Sequence, residues 1–192
     1  MGYIETQRLI LRSFDEKDIP SLYLLLKDEN VNTFLPWFPV KSMEEAEKFY
    51  ERRFSPLKEE NMYYYAICLK EDNIPVGYIK AETDESRDFG YALCSRLWHR
   101  GIVTEAAGAL AEKLKQDGIP YITATHDRNN PRSGGVMRQI GMKYCYSYRE
   151  QWQPKNLSVV FRLYMLNLDG NNSREYNKYR IMYENHFVEK GL

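Results

Sequence analysis

The sequence predicts an α/β (α+β) fold: a sheet of about seven strands flanked by helices. Three observations carry this reading. Residues 62–70 and 74–82 are strand-like runs joined by the turn EDN, and 142–152 and 157–168 are joined by PKN, so these neighbours pair as antiparallel hairpins. LWHRGIVTEAAGALAEKL (97–114) passes from a strand through one glycine into a clean helical pattern. Hydrophobic residues make up 43% and charged ones 28%, the composition of a chain that buries a core.

The elements follow in order. ETQRLILRSF (5–14) alternates Leu9 and Leu11 with polar neighbours and reads as a strand. Asp15 caps a helix over 16–27 with Ile19, Leu22, Tyr23 and Leu26 on one face; Pro20 sits in its first turns, where proline is tolerated. NTFLPWFPVKS (32–42) is a loop, and Ser42 with Glu45 forms a capping box for a helix to about Phe54. The hairpin comes next, then a strand over 87–94 and a helix over 101–117 that Gly118 ends. In that helix Val103, Ala106, Ala107, Leu110 and Leu114 fall at helical spacing. A buried strand (119–126), the turn DRNNPRS and a short helix from Ser133 to Ile140 lead to the last two strands. The tail carries Tyr176, Tyr179, Tyr183 and Phe187 three and four apart, which predicts an added helix over 173–188. The organisation is one domain (1–170) with a helical appendage (171–192).

Lys+Arg and Asp+Glu balance at 27 each, so no bulk field draws the chain to nucleic acid or to a membrane surface. Cys68, Cys94 and Cys145 are isolated and form no CxxC pair, which leaves no disulfide framework and no zinc or other metal site to expect and fits a reducing cytoplasm. No apolar run approaches the ~18 residues of a membrane span, and no secretory signal opens the chain; a cytoplasmic location is the expectation. MGYIET matches the myristoylation pattern through Gly2 and Thr6, but strand-like residues begin at once and so short a pattern matches by chance.

The 97–114 stretch is the chemical signal. A helix N-terminus offers unpaired amides and a positive dipole end, which bind phosphate without any particular side chain. Gly101 lets backbone approach a ligand, and Arg100 adds a cation. The GxGxxG of a dinucleotide fold and the lysine of a P-loop are both missing here. A diphosphate-bearing ligand held mainly by backbone is the reading.

The stretch resembles the pyrophosphate loop of the GNAT acetyltransferase superfamily, and GYALCSRLWHRGIVTEA is similar to its ribosomal-protein N-terminal acetyltransferase branch. Trp98, Gly101, Thr104, Glu105 and Ala106 match that branch's Trp-Gly-x-Gly-Tyr-Ala-Thr-Glu-Ala run, while His99 and Val103 depart from it. IETQRLILRSFDEKDI resembles the family's opening strand and helix, NTFLPW its acceptor-site loop, and NNPRSGGVMRQIGMKY its Asn-Pro-x-Ser segment. Order and spacing agree over about residues 4–168; 171–192 lie outside the usual length.

The resemblance implies a GNAT-type central mixed, mostly antiparallel twisted sheet with a V-shaped splay between the fourth and fifth strands. It implies acetyl-CoA as co-substrate and direct transfer to a primary amine, a peptide N-terminus or a small molecule. Tyr91, Ala92 and Leu93 are expected along the pantetheine arm, with His99, Arg100, Gly101, Ile102, Val103 and Thr104 at the pyrophosphate. Asn130 and Ser133 are expected at the cofactor arm. The tyrosine that protonates the thiolate in many relatives would fall at Met137; Ser133 is the candidate acid instead, a helix N-cap being its other reading, and Glu150 is the candidate base against a solvated surface role. His126 ends the buried strand and acts either through water or as a structural residue. Trp37, Phe38, Tyr65, Tyr91 and Trp152 are expected to shape the acceptor pocket. The tail's aromatic face would cover its own domain, a second subunit or the acceptor groove, a homodimer contact being preferred to the groove. A non-catalytic acyl-CoA sensor or interaction module of the same fold is the alternative, and Met137 is the residue that favours it.

Overall fold

The computed structural model describes residues 3–54 and 63–192; Gly2, and Met62 at the start of the predicted hairpin, lie outside the described residues. Two sheets form. The first has strands β1 (Ile4–Glu5), β2 (Leu9–Arg12), β3 (Tyr63–Leu69), β4 (Pro75–Ala81) and β5 (Phe89–Leu93) in sequential antiparallel order. The second has β6 (Tyr121–Asp127), β7 (Lys143–Trp152), β8 (Leu157–Asn167) and β9 (His186–Phe187) in the order β6-β8-β7-β9. The seven predicted strands are all present, and the two-residue β1 and β9 extend the edges.

Both faces of the first sheet are covered, which is why its strands alternate between two cores. Tyr65 and Ile67 of β3 join Leu9, Leu11 and Ile79 against helix α4 (Ile102–Gln116), whose Ala106, Ala107, Leu110 and Leu114 complete that layer. The two alanines allow α4 to approach the sheet closely. Truncating the fully buried Leu110 to alanine would cost about 2–5 kcal/mol. Ala66 and Cys68, one residue out of step, face α1 (Ile19–Leu26) and α3 (Met43–Arg53) through Leu22, Leu25, Leu26, Phe49 and Tyr50.

Local chemistry sets the helix ends. A 3-10 turn over Glu16–Asp18 precedes α1, and the Asp15 amide donates to the Asp18 carboxylate at 2.8 Å. Asp18 is buried and held by both terminal nitrogens of Arg12, at 2.6 and 2.9 Å. The loop expected at 32–42 is preceded by a short helix, α2 (Glu29–Asn32), whose Asn30 and Val31 amides donate to Asp28. At α3 the capping box is offset: Ser42 accepts from the Glu45 amide, but Glu45 reaches back to the Lys41 amide. Helix α5 (Pro131–Gln139) starts two residues before the predicted Ser133, because Asn130 caps it by accepting from the Ser133 amide and Pro131 takes the first turn.

The tail corrects the sequence reading. Only Lys178–Met182 (α6) is helical; Tyr183 is extended and the chain continues into β9, where Ser147 and Tyr148 pair with Phe187 and His186. Five residues cannot sustain an isolated helix, and anchors on both sides impose a strap instead. Arg174 binds Asp169, Tyr146 donates its hydroxyl proton to the Tyr176 carbonyl, and Arg180 lies over the Tyr146 ring at 4.4 Å. Glu189 accepts from Arg162 and from the fully buried Ser147. The aromatic face is covered by its own domain: Tyr179 and Tyr183 stack on Tyr148 at 4.8 and 4.9 Å.

Candidate active site

β5 and β6 run parallel and meet at one point, where Asp88 bridges Thr123 and the Thr123 amide donates to the Arg87 carbonyl at 3.2 Å. Beyond it they separate into two sheets, so the predicted splay is present. The flanking ladders decide which backbone groups face the gap. The Cys94 amide donates to Val76 and the Glu82 amide to Asp88, so by antiparallel alternation Gly90 and Ala92 spend their polar groups on β4, while Tyr91 and Leu93 turn theirs into the gap. On the other wall the Arg128 amide donates to Val160, which by the same rule aims the Thr125 backbone inward. Of the three residues expected along a ligand arm, Tyr91 and Leu93 therefore offer backbone and Ala92 only its methyl. The Leu93 carbonyl is taken by the Trp98 indole at 2.9 Å.

The gap opens into a cavity of about 790 Å³. His99, Arg100, Gly101, Ile102, Val103 and Thr104 line it at the start of α4, together with Asn130, Ser133 and Glu150. The chain bends there through two left-handed residues, His99 (φ 62°) and Gly101 (φ 71°). Arg8 ties this bend to the first sheet: it donates to Glu105 at 2.6 Å and to the Arg100 carbonyl at 2.9 Å, and the Thr6 hydroxyl also donates to Glu105. Burial pushes the Glu105 carboxyl up, and the bonds from Thr6 and Arg8 more than offset it, so it ends below the usual range. The guanidinium of Arg132 lies 4.4 Å over the Trp98 ring, and Thr104 donates to Gln139 of α5. Among the described residues no group of three His, Cys, Asp or Glu side chains is arranged to hold a metal ion.

Ser133 sits in the first turn of α5 with its hydroxyl 3.0 Å from the Tyr91 hydroxyl, which also donates to the Ser133 carbonyl at 2.8 Å. Burial raises the Tyr91 pKa, so the phenol keeps its proton. Asn130 spends its carboxamide oxygen on the cap, which leaves its amide nitrogen for other partners. Met137 is buried among the core residues beneath α5. His126 is 4% exposed; its Nδ1 donates to the Asp127 carbonyl and its Nε2 has no hydrogen-bond partner among the described residues. Desolvation lowers its pKa, so the ring is neutral.

Glu150 is half-buried in the cavity wall rather than on an open surface. Burial raises its pKa, and the Tyr183 hydroxyl partly offsets that. Trp37, Trp152 and Tyr91 line the same cavity. Tyr65 does not: it is 2% exposed and packs against α4, because the neighbouring Tyr64 takes the cavity face of β3. Phe38 is 60% exposed and belongs to a separate groove with Lys41 and Lys48. Sequence reasoning missed Tyr64 and Tyr148 as cavity residues, although alternation along β3 and β7 was the signal for them. Tyr179 and Tyr183, which also line the cavity, belong to the tail face for which the acceptor groove was one of three placements.

A family model described as the acetyltransferase (GNAT) domain matches residues 8–143. The uncharacterized N-acetyltransferase YnaD of Bacillus subtilis (strain 168) is 28% identical over 160 residues, covering 78% of this chain and 91% of that protein. An acetyltransferase of the GNAT family from Bacillus anthracis is similar with a TM-score of 0.76 at 22% identity, covering 88% of this chain and 99% of its own. RimL, a ribosomal L7/L12 alpha-N-protein acetyltransferase solved with coenzyme A, gives a TM-score of 0.77 at 22% identity over 88% of this chain and 100% of its own. At such identities the structural likeness carries the fold. The family model spans the splay, the bend before α4 and the whole of α5, and on that match the chain belongs to the GNAT acetyltransferase family.

Proposed function

We propose that this chain is an acetyl-CoA-dependent N-acetyltransferase that moves the acetyl group to a primary amine by direct transfer in a ternary complex. The observation that carries the reading is one cavity that holds the open edges of β5 and β6, the start of α4 and the half-buried Glu150. The residues fit the co-substrate. A helix leaves its first amides unpaired, which at α4 are those of 102–104, and the space at Gly101 is clear to 3.6 Å, where Arg8 begins. Those amides, with Arg100, suit a diphosphate; the edge groups of Tyr91, Leu93 and Thr125 suit an extended amide-bearing arm that pairs as a strand would.

When bound, the co-substrate supplies an acetyl thioester. The chain supplies alignment, which alone contributes ~7–11 kcal/mol, and proton transfer. Glu150, its pKa raised by burial, takes a proton from the acceptor ammonium. The C–N bond forms as the C–S bond breaks. Of the two protons the ammonium loses, one reaches solvent through Glu150 and one ends on sulfur, delivered at the Ser133 hydroxyl that Tyr91 holds in place. Trp37 and Trp152 flank the acceptor.

A second reading, a non-catalytic acyl-CoA sensor or interaction module, draws on Met137, whose thioether cannot give a proton and which is packed into the core. Mass spectrometry of an amine and N-terminal peptide panel, incubated with acetyl-CoA and the full chain, tests the choice. The enzyme yields at least one acetylated amine; the module yields none while binding CoA.

A further inference from the structure

The tail's placement bears on which amines the site accepts. Tyr179 and Tyr183 line the transfer cavity together with Glu150 and Tyr148. Both stack on Tyr148, and Tyr183 lines the cavity beside Glu150, where its hydroxyl favours the ionised carboxylate. The strap that carries them is fixed at both ends, by Arg174 on Asp169 and by Glu189 on Arg162 and Ser147.

We infer that the strap over residues 176–189 is the acceptor-side wall of the transfer site, with Tyr183 positioning Glu150 and the Tyr179 and Tyr183 rings receiving the acceptor as its ammonium. The inference rests on the acetyltransfer reading above. The ring faces attract a cation, and Glu150 is the carboxylate beside them. Other charged groups lining the cavity are Arg53, Lys80, Asp88, Arg100, Asp127 and Arg132; Lys80 is already paired with Glu82 and Asp88, and Arg132 lies over the Trp98 ring. Tyr183, its own pKa pushed up to about 12 by burial and by Glu150, stays protonated, so its hydroxyl is a donor. Its bond favours the ionised carboxylate, so it holds the Glu150 pKa below the value burial alone would give.

The test compares the full chain with Tyr183→Phe and Tyr179→Ala, using the best amine of a panel, with acetyl-CoA held saturating. Tyr183→Phe keeps the stack and removes the hydroxyl: the acid limb of kcat/KM for the amine moves to higher pH by about one unit. Tyr179→Ala raises KM for the amine roughly tenfold, with calorimetric CoA affinity unchanged in both variants. A parent that acetylates amines while Tyr183→Phe keeps its profile and Tyr179→Ala its KM would overturn the wall and leave the activity standing. Faster turnover in either variant would make the strap a plug and overturn it too. A parent that acetylates no amine removes the activity and this inference with it.

Discussion

The Arg8 guanidinium grips the Glu105 carboxylate at 2.6 Å and the Arg100 carbonyl at 2.9 Å. One side chain just before β2 thus fixes both the first turn of α4 and the residue before its left-handed glycine. Loosening this grip should blur the geometry of the amides that follow. Glu105→Gln is expected to weaken CoA binding about fivefold, close to 1 kcal/mol for a contact whose arginine is half exposed. The depressed Glu105 pKa also means that its stabilisation is present above the ordinary carboxylate pKa and is lost as pH falls below it. Isothermal titration with CoA reads the first effect; unchanged affinity would detach Arg8 from the loop.

Gly101 sits at φ 71°, and a Cβ built there would meet nothing closer than Arg8 at 3.6 Å. The cost of a side chain is therefore in the backbone, about 1–3 kcal/mol for a non-glycine residue held left-handed. Gly101→Val should reduce CoA affinity more than tenfold, and Arg100→Ala, which removes one partly exposed charge, about fivefold. The reverse order would mean that side-chain charge rather than backbone holds the diphosphate.

Two neighbouring glycines of α5 should respond with opposite signs. A Cβ on Gly134 would lie 2.5 Å from Nε2 of His126, whose ring is buried and anchored on Asp127; one on Gly135 meets nothing within 4 Å. Gly134→Ala should cost about 1–3 kcal/mol through overpacking, and Gly135→Ala should gain up to about 1 kcal/mol from helix propensity. Thermal melts separate them: a fall of several degrees against a small rise. Equal shifts would show that His126 moves aside freely.

The strap has its own pH signature. Hydrogen bonds from Arg162, with Ser147 adding to them, hold the Glu189 carboxyl near a pKa of about 2. A depressed pKa stabilises fully above the unfolded value, near 4.5, and that stabilisation fades as pH falls toward 2. Glu189→Gln should lower the melting temperature at pH 7 and converge on the parent near pH 2. A gap that persists at pH 2 would assign the loss to packing instead of charge.

The regular sheet was legible because alternation and turn chemistry agree in it: the hairpin around EDN and the PKN turn both fall where the sequence puts them. The bend before α4 was legible for a different reason, since a single glycine marks a left-handed residue at a helix mouth. Tyr64 and Tyr65 show the limit. In a strand covered on both faces, hydrophobicity does not say which tyrosine faces the cavity, and one residue of offset exchanges the two cores. The tail misled for a related reason. Its three-and-four spacing is real, but one short turn satisfies it once Arg174 and Glu189 pin the ends. Glu150 gave no local sign of burial, because the groups that enclose it come from a strap some 30 residues later.

Whether acetyl transfer happens beside Glu150 is read from the initial rate of thiol release from acetyl-CoA, with and without each amine of a panel. Parent chain and Glu150→Gln are measured side by side at matched CoA occupancy. The expected result is amine-dependent CoA release by the parent and a kcat lower by about 10²–10⁴-fold in Glu150→Gln, with acetyl-CoA affinity kept. CoA bound tightly by both chains, with no amine releasing thiol from either, would contradict it.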